Sequence, residues 1–101
     1  MDSMENKDQN ESNTSRFRAS SDVVYNRVGD QGVLVHMRTN QIYELNRTGA
    51  RFWELLDAGH DLAEIQLRML QEFDVAEADL AAEIEAQLAL LKSEDLVTPY
   101  K

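Results

Sequence analysis

Cysteine is absent from this 101-residue chain, which excludes a disulfide framework and thiolate chemistry. Positive charge is scarce: ten Lys and Arg face nineteen Asp and Glu, for a net charge of −9. The deficit is concentrated between Asp57 and Asp95, where eleven acidic residues are balanced only by Arg68 and Lys92. That half of the chain repels phosphate. Long hydrophobic runs are missing too, and none approaches the roughly 18 residues of a membrane span. The opening MDSMENKDQNESNTS lacks the apolar core of a secretory signal, so the expectation is a cytoplasmic protein that meets no membrane. Glycine is sparse, and none of the four builds a phosphate-cradling loop; the single proline, Pro99, ends regular structure.

What remains is a soluble composition with length for one small domain. Residues 1–20 offer almost nothing to bury and read as a disordered tail, leaving 21–98 as the domain. Three short strands are expected at 23–28, 33–37 and 41–45. The polar breaks between them, Gly29-Asp30-Gln31-Gly32 and Arg38-Thr39-Asn40, suit hairpins. The result is an antiparallel meander. In its third strand Tyr43 and Leu45 share a face with Gln41, while Ile42 and Glu44 point the other way.

Three helices follow. Asn46 caps the first, whose apolar stripe of Ala50, Phe52, Trp53, Leu55 and Leu56 ends at Gly59. Asp61 caps the second, with Glu64 in capping-box position, and it runs to about Phe73. The third begins near Glu77 and places Leu80, Ile84, Leu88 and Leu91 on one stripe. Leu96 and Val97 close the core. The fold class is therefore α+β, a winged helix-turn-helix-like arrangement of three antiparallel strands followed by three helices.

A winged helix raises nucleic-acid binding, but a helix entering a groove needs basic residues, and this third helix carries Glu77, Asp79, Glu83 and Glu85. Catalysis fares no better. His36 and His60 have neither metal-ligand spacing nor companions and read as surface or half-buried histidines. The acidic residues of the third helix read as a solvated face, and no nucleophile elbow is present. Neither a catalytic residue, a metal site nor a cofactor is expected. A binding module is the remaining class.

The stretch Ile42-Tyr43-Glu44-Leu45-Asn46-Arg47-Thr48-Gly49-Ala50-Arg51-Phe52-Trp53 resembles the hallmark segment of the PqqD family: an aromatic, any residue, Leu-Asn, any residue, Thr-Gly or Thr-Ala, then an apolar residue and Trp. Glu83-Ile84, Gln87-Leu88, Leu91 and the closing Leu96-Val97 are similar to its third-helix pattern. The resemblance covers residues 22–97. Two positions depart from it. Gln87 stands where an aromatic is usual, which bears on how apolar the neighbouring groove is. Asp95 stands where Gly is usual, which implies a last turn without left-handed geometry.

The resemblance implies a domain that recognises the leader segment of a ribosomally made precursor peptide and presents it to modifying enzymes. The leader would add as an antiparallel strand along the third strand, Gln41, Ile42, Tyr43, Glu44, Leu45 and Asn46, through backbone hydrogen bonds. The third helix would supply the other wall through Ile84, Gln87, Leu88 and Leu91, with Glu83 facing a basic group. Ile84 and Leu91, central on the apolar stripe, read first as core, and so do Leu45 and Trp53; Leu88 lies on the flank. A freestanding version resembles the lasso-peptide type, whose partner is a separate leader peptidase. The alternatives are a PqqD-type chaperone serving a radical enzyme, a nucleic-acid binder, and a subunit that pairs its free edge with a second copy.

Overall fold

The structure, a computed structural model, describes residues 16–99. Its elements run Phe17–Ala19 (β1), Val23–Val28 (β2), Gln31–His36 (β3), Gln41–Leu45 (β4), Arg47–Asp57 (α1), Leu62–Glu72 (α2), Glu77–Ser93 (α3) and Val97–Pro99 (β5). β2, β3 and β4 form the expected antiparallel meander, with β3 in the centre. Its hairpins turn where the sequence allows positive φ: Gly29 at +65° and Asn40 at +62°. The first turn is tighter than expected, because Val28 already pairs with Gln31 and Gly32 lies within the strand.

Gly32 sits there because α1 packs close to the sheet. A Cβ at this position would stand 2.6 Å from Tyr25 Cε1 and 3.2 Å from Ala50 Cβ. The absent side chain lets the Tyr25 ring lie across β3, 6.2 Å from the Trp53 ring by centroids. Period-two alternation buries Leu34 and His36 on the same face, and α1 covers them with Ala50, Phe52, Trp53 and Leu56. α2 contributes Ile65 and Met69, α3 contributes Leu80, Ile84 and Leu91, and Leu96 and Val97 complete the core. On the outer face Val24, Val35 and Ile42 stand in one row across the three strands.

The caps fall where the side chains predict them. Asn46 Oδ1 accepts the Gly49 N–H at 2.8 Å, and Asp61 Oδ1 accepts that of Glu64 at 2.8 Å. The Glu64 carboxylate meets His60 Nδ1 at 2.9 Å and Arg68 at 3.2 Å, which is where the expected capping-box side chain goes. α1 stops at Gly59, with φ +99°, in a Schellman turn: Gly59 N–H bonds Leu56 C=O at 3.0 Å and His60 N–H bonds Leu55 C=O at 3.3 Å.

Two expectations are revised. Residues 1–15 of the anticipated tail lie outside the described residues, but Phe17–Ala19 is a strand paired antiparallel with β5, and Phe17 is buried. Three residues are too short for a periodic signal, and their partner lies at the far end of the chain. His36 is also not a surface or half-buried histidine: it is fully buried, because it ends the inward register of β3. Neither ring nitrogen has a hydrogen-bond partner among the described residues.

Candidate functional site

β4 pairs with β3 on one side and with no strand on the other among the described residues. Such an edge leaves alternate backbone N–H and C=O groups free to pair with another chain. Ile42, 67% exposed, and the exposed Glu44 occupy the outer face, while half-buried Tyr43 and buried Leu45 turn inward. Asn46 joins this edge to α1 with no intervening loop. Its extended backbone (φ −73°, ψ −178°) continues the strand while its side chain caps the helix.

The opposite wall comes from α3. Beside its buried stripe, Glu83, Gln87, Leu90 and Glu94 recur at steps of four, three and four and share one flank. Two contacts show where that flank faces. Glu94 Oε1 accepts the Tyr43 hydroxyl at 2.8 Å, tying the last turn of the helix to β4. Further up, Glu83, Ile84 and Gln87 line a narrow cleft against Thr48, Gly49 and Phe52 of α1. The hydrogen bond to Glu94, followed by burial, pushes the Tyr43 hydroxyl above its ordinary pKa.

The residues anticipated for the site divide accordingly. Gln41, Ile42, Tyr43, Glu44 and Asn46 lie along the open edge, and Glu83, Ile84 and Gln87 border the cleft. Leu45 and Leu91, 4% and 1% exposed, belong to the core. Leu88 lies with Ile84, Ala81 and Glu85 along a separate groove of about 340 Å³ against Leu62, Ala63 and Gln66 of α2. Sequence reasoning missed Thr48, Gly49, Leu90 and Glu94. The spacing 83, 87, 90, 94 carried the signal for two of them, but only Glu83 and Gln87 of that series were anticipated.

Beyond Glu94, Asp95 corrects the expectation of a turn without left-handed geometry, since its φ is +59°. Asp95 N–H bonds Lys92 C=O at 3.2 Å and Leu96 N–H bonds Leu91 C=O at 2.9 Å, the Schellman pattern with Asp in the place of Gly. A short polar side chain tolerates this region better than most. Here it also bonds Arg38 Nη2 at 2.6 Å, and Arg38 Nε lies 3.4 Å from Asp22. The tip of the β3–β4 hairpin is thereby clipped to the end of α3.

On the far side of α1, Glu54 accepts Tyr25 at 2.7 Å and Arg27 at 2.6 Å, and Arg51 binds Glu72 through two bonds of 2.7 and 2.8 Å. Burial and the Glu54 hydrogen bond push the Tyr25 hydroxyl up to about 12. Burial alone would raise the Glu54 carboxyl, but the bonds from Tyr25 and Arg27 hold it below the usual carboxylate range. This network braces the sheet against α1 and α2. Among the described residues no group of three or more His, Asp or Glu is placed to hold a metal ion, and no helix is long and apolar enough to cross a membrane.

An open edge strand leads through an Asn cap into a helix, opposite a flank of the last helix. The family model described as Coenzyme PQQ synthesis protein D (PqqD) matches residues 31–97. The chain belongs to the PqqD family. Two solved structures share this PqqD fold. "TbiB1 in Complex with the TbiA(beta) Leader Peptide" is 27% identical, with a TM-score of 0.76 over 83% of this chain and 98% of that one. "Lasso peptide synthetase B1 complexed with the leader peptide" is 25% identical, with a TM-score of 0.74 over 83% of this chain and 99% of that one. No curated protein matches the chain in sequence.

Proposed function

We propose that this PqqD-family chain binds the leader segment of a ribosomally made precursor peptide and delivers it to a processing enzyme. The leader adds as an antiparallel strand along β4, against the α3 flank of Glu83, Gln87, Leu90 and Glu94. The observation that carries the reading is the open β4 edge facing that flank, within the fold of two chains solved with leader peptides. Gln41 to Asn46 supply backbone hydrogen bonds. Ile84 and Leu88 add apolar surface, Leu91 supports them from the core, and Glu83 meets a basic group of the leader. The chain works in the cytoplasm without catalysis or a cofactor of its own, through the domain of residues 21–98 extended by β1.

The first-choice partner is a lasso-peptide leader peptidase; the neighbour described as a lasso peptide synthetase B1 supports the lasso pathway. The description of the matching family favours a second reading, presentation to an enzyme of cofactor synthesis. Duplex DNA is disfavoured by the acidic α3 flank.

A backbone N-methyl scan of the cognate leader tests the mode. Each methyl removes one N–H donor, so binding measured by calorimetry should fall steeply at every second position of the paired segment. Binding that tolerates N-methylation throughout would contradict strand addition. Cleavage by the peptidase should in turn require this chain.

A further inference from the structure

Gln87 fills the space that a side chain at position 49 would need. Gly49 is the third residue of α1 and is buried. A Cβ built on it would stand 2.9 Å from Gln87 Nε2, 3.4 Å from Gln87 Cδ and 3.2 Å from Asn46 Oδ1. The Gln87 amide therefore lies directly on the first turn of α1, where β4 passes into the helix. Beneath it are Phe52, 1% exposed, and Ile84, 8% exposed. The cleft these residues share with Thr48 and Glu83 has about 10 Å³ free, room for a single water.

We propose that Gln87 is a specificity-determining residue of the groove: seated on Gly49, its amide sets the groove's depth beside Asn46 and admits only a small leader side chain there. This rests on the leader-binding reading above. Among the described residues the amide makes no hydrogen bond, so packing on Gly49 and the cleft walls sets its position. Without the amide, an apolar recess floored by Phe52 and Ile84 opens, suited to a branched aliphatic side chain. Gly49 is the second half of the device. A methyl group on it displaces the flexible end of Gln87, which on this proposal moves into the groove.

The test compares wild type, Gln87→Ala, Gly49→Ala and the double variant by calorimetry. The probes are the cognate leader and leaders in which each residue of the paired segment is enlarged in turn to Leu. At one leader position Leu should weaken wild-type binding by about tenfold, and Gln87→Ala should restore it to within about threefold. Gly49→Ala should weaken binding of the parent leader several-fold, and that loss should vanish in the Gln87→Ala background. If the Gly49→Ala loss came from the pressed Asn46 cap instead, it would persist in the double variant and overturn the coupling. An identical size preference in all four proteins would overturn the proposal as well. In the free protein, nuclear Overhauser contacts between the Gln87 side-chain amide and the Gly49 α protons are expected, and their absence would contradict the packing itself. If those contacts are present but wild type binds no cognate leader, the leader reading fails and size selection fails with it; leader binding without size coupling overturns only the role of Gln87.

Discussion

The Tyr43 hydroxyl donates a 2.8 Å hydrogen bond to Glu94, joining the edge strand to the last turn of α3 across 51 residues of sequence. Glu94 is exposed, so the bond contributes little to stability; on the proposed reading it fixes the spacing between the two walls of the groove.

Tyr43→Phe keeps the ring packing and removes this bond together with the longer, exposed contact of the hydroxyl with Gln41 Oε1 at 3.2 Å. Unfolding free energy should change by no more than about 1 kcal/mol, while leader affinity falls several-fold because the walls are no longer held. Urea denaturation beside calorimetry separates the two effects. A loss of stability as large as the loss of affinity would count against a positioning role.

Asp95 combines a left-handed backbone with an exposed ion pair to Arg38. Asp95→Gly relieves the backbone and loses the pair, two effects of about 1 kcal/mol or less that nearly cancel. Asp95→Ala keeps the backbone cost and loses the pair, so it should destabilise by about 1–2 kcal/mol. Thermal unfolding that ranks Ala above Gly would refute the capping account.

Leu90, 43% exposed, lies on the flank with Gln87 and Glu94, whereas Leu67, 62% exposed, lies on α2. Leu90→Asp should cut leader affinity by about tenfold or more with little change in melting temperature. Leu67→Asp should leave affinity unchanged. Equal effects at the two sites would remove the α3 flank from the interface.

Stability should be bell-shaped in pH. Hydrogen bonds from Arg51 hold the Glu72 carboxyl below its ordinary value of 4.5, and Glu54 is lowered as well. Their contribution is complete above 4.5 and is lost as pH falls through the lower folded-state values. Tyr25 is raised from 10.0 to about 12, so its contribution is complete below 10.0 and is lost as pH rises toward 12. Denaturant midpoints across pH check both limbs. Tyr25→Phe should flatten the alkaline limb, and an unchanged limb in that variant would assign it to other groups.

Most of the fold was legible because the controlling signals are local. Gly29, Asn40 and Gly59 mark turns, Asn46 and Asp61 mark helix starts, and period two or 3.6 identifies the buried faces. β1 was not legible, since a three-residue strand is stabilised by a partner at the far end of the chain, Phe17 pairing with Pro99 and needing no local pattern. His36 misled for a related reason: polarity argues for the surface, but strand register places it inside.

The site was half legible. Its strand was marked by the segment leading into Asn46, and its helical wall was expected from Glu83 and Gln87 together with Ile84, Leu88 and Leu91 of the apolar stripe of α3. The neighbouring flank is mostly polar, and only the tertiary contacts of Glu94 with Tyr43 and of Gln87 with Gly49 reveal its direction. Leu88 and Leu91 were therefore placed on a wall that they support or adjoin.

Hydrogen exchange of the β4 amides, followed by NMR with and without the cognate leader, tests strand addition most directly. On binding, alternate amides between Gln41 and Asn46 should gain protection, with accompanying shifts at Glu83, Gln87 and Leu90. A leader that binds while those β4 amides exchange at their free rates would contradict the account.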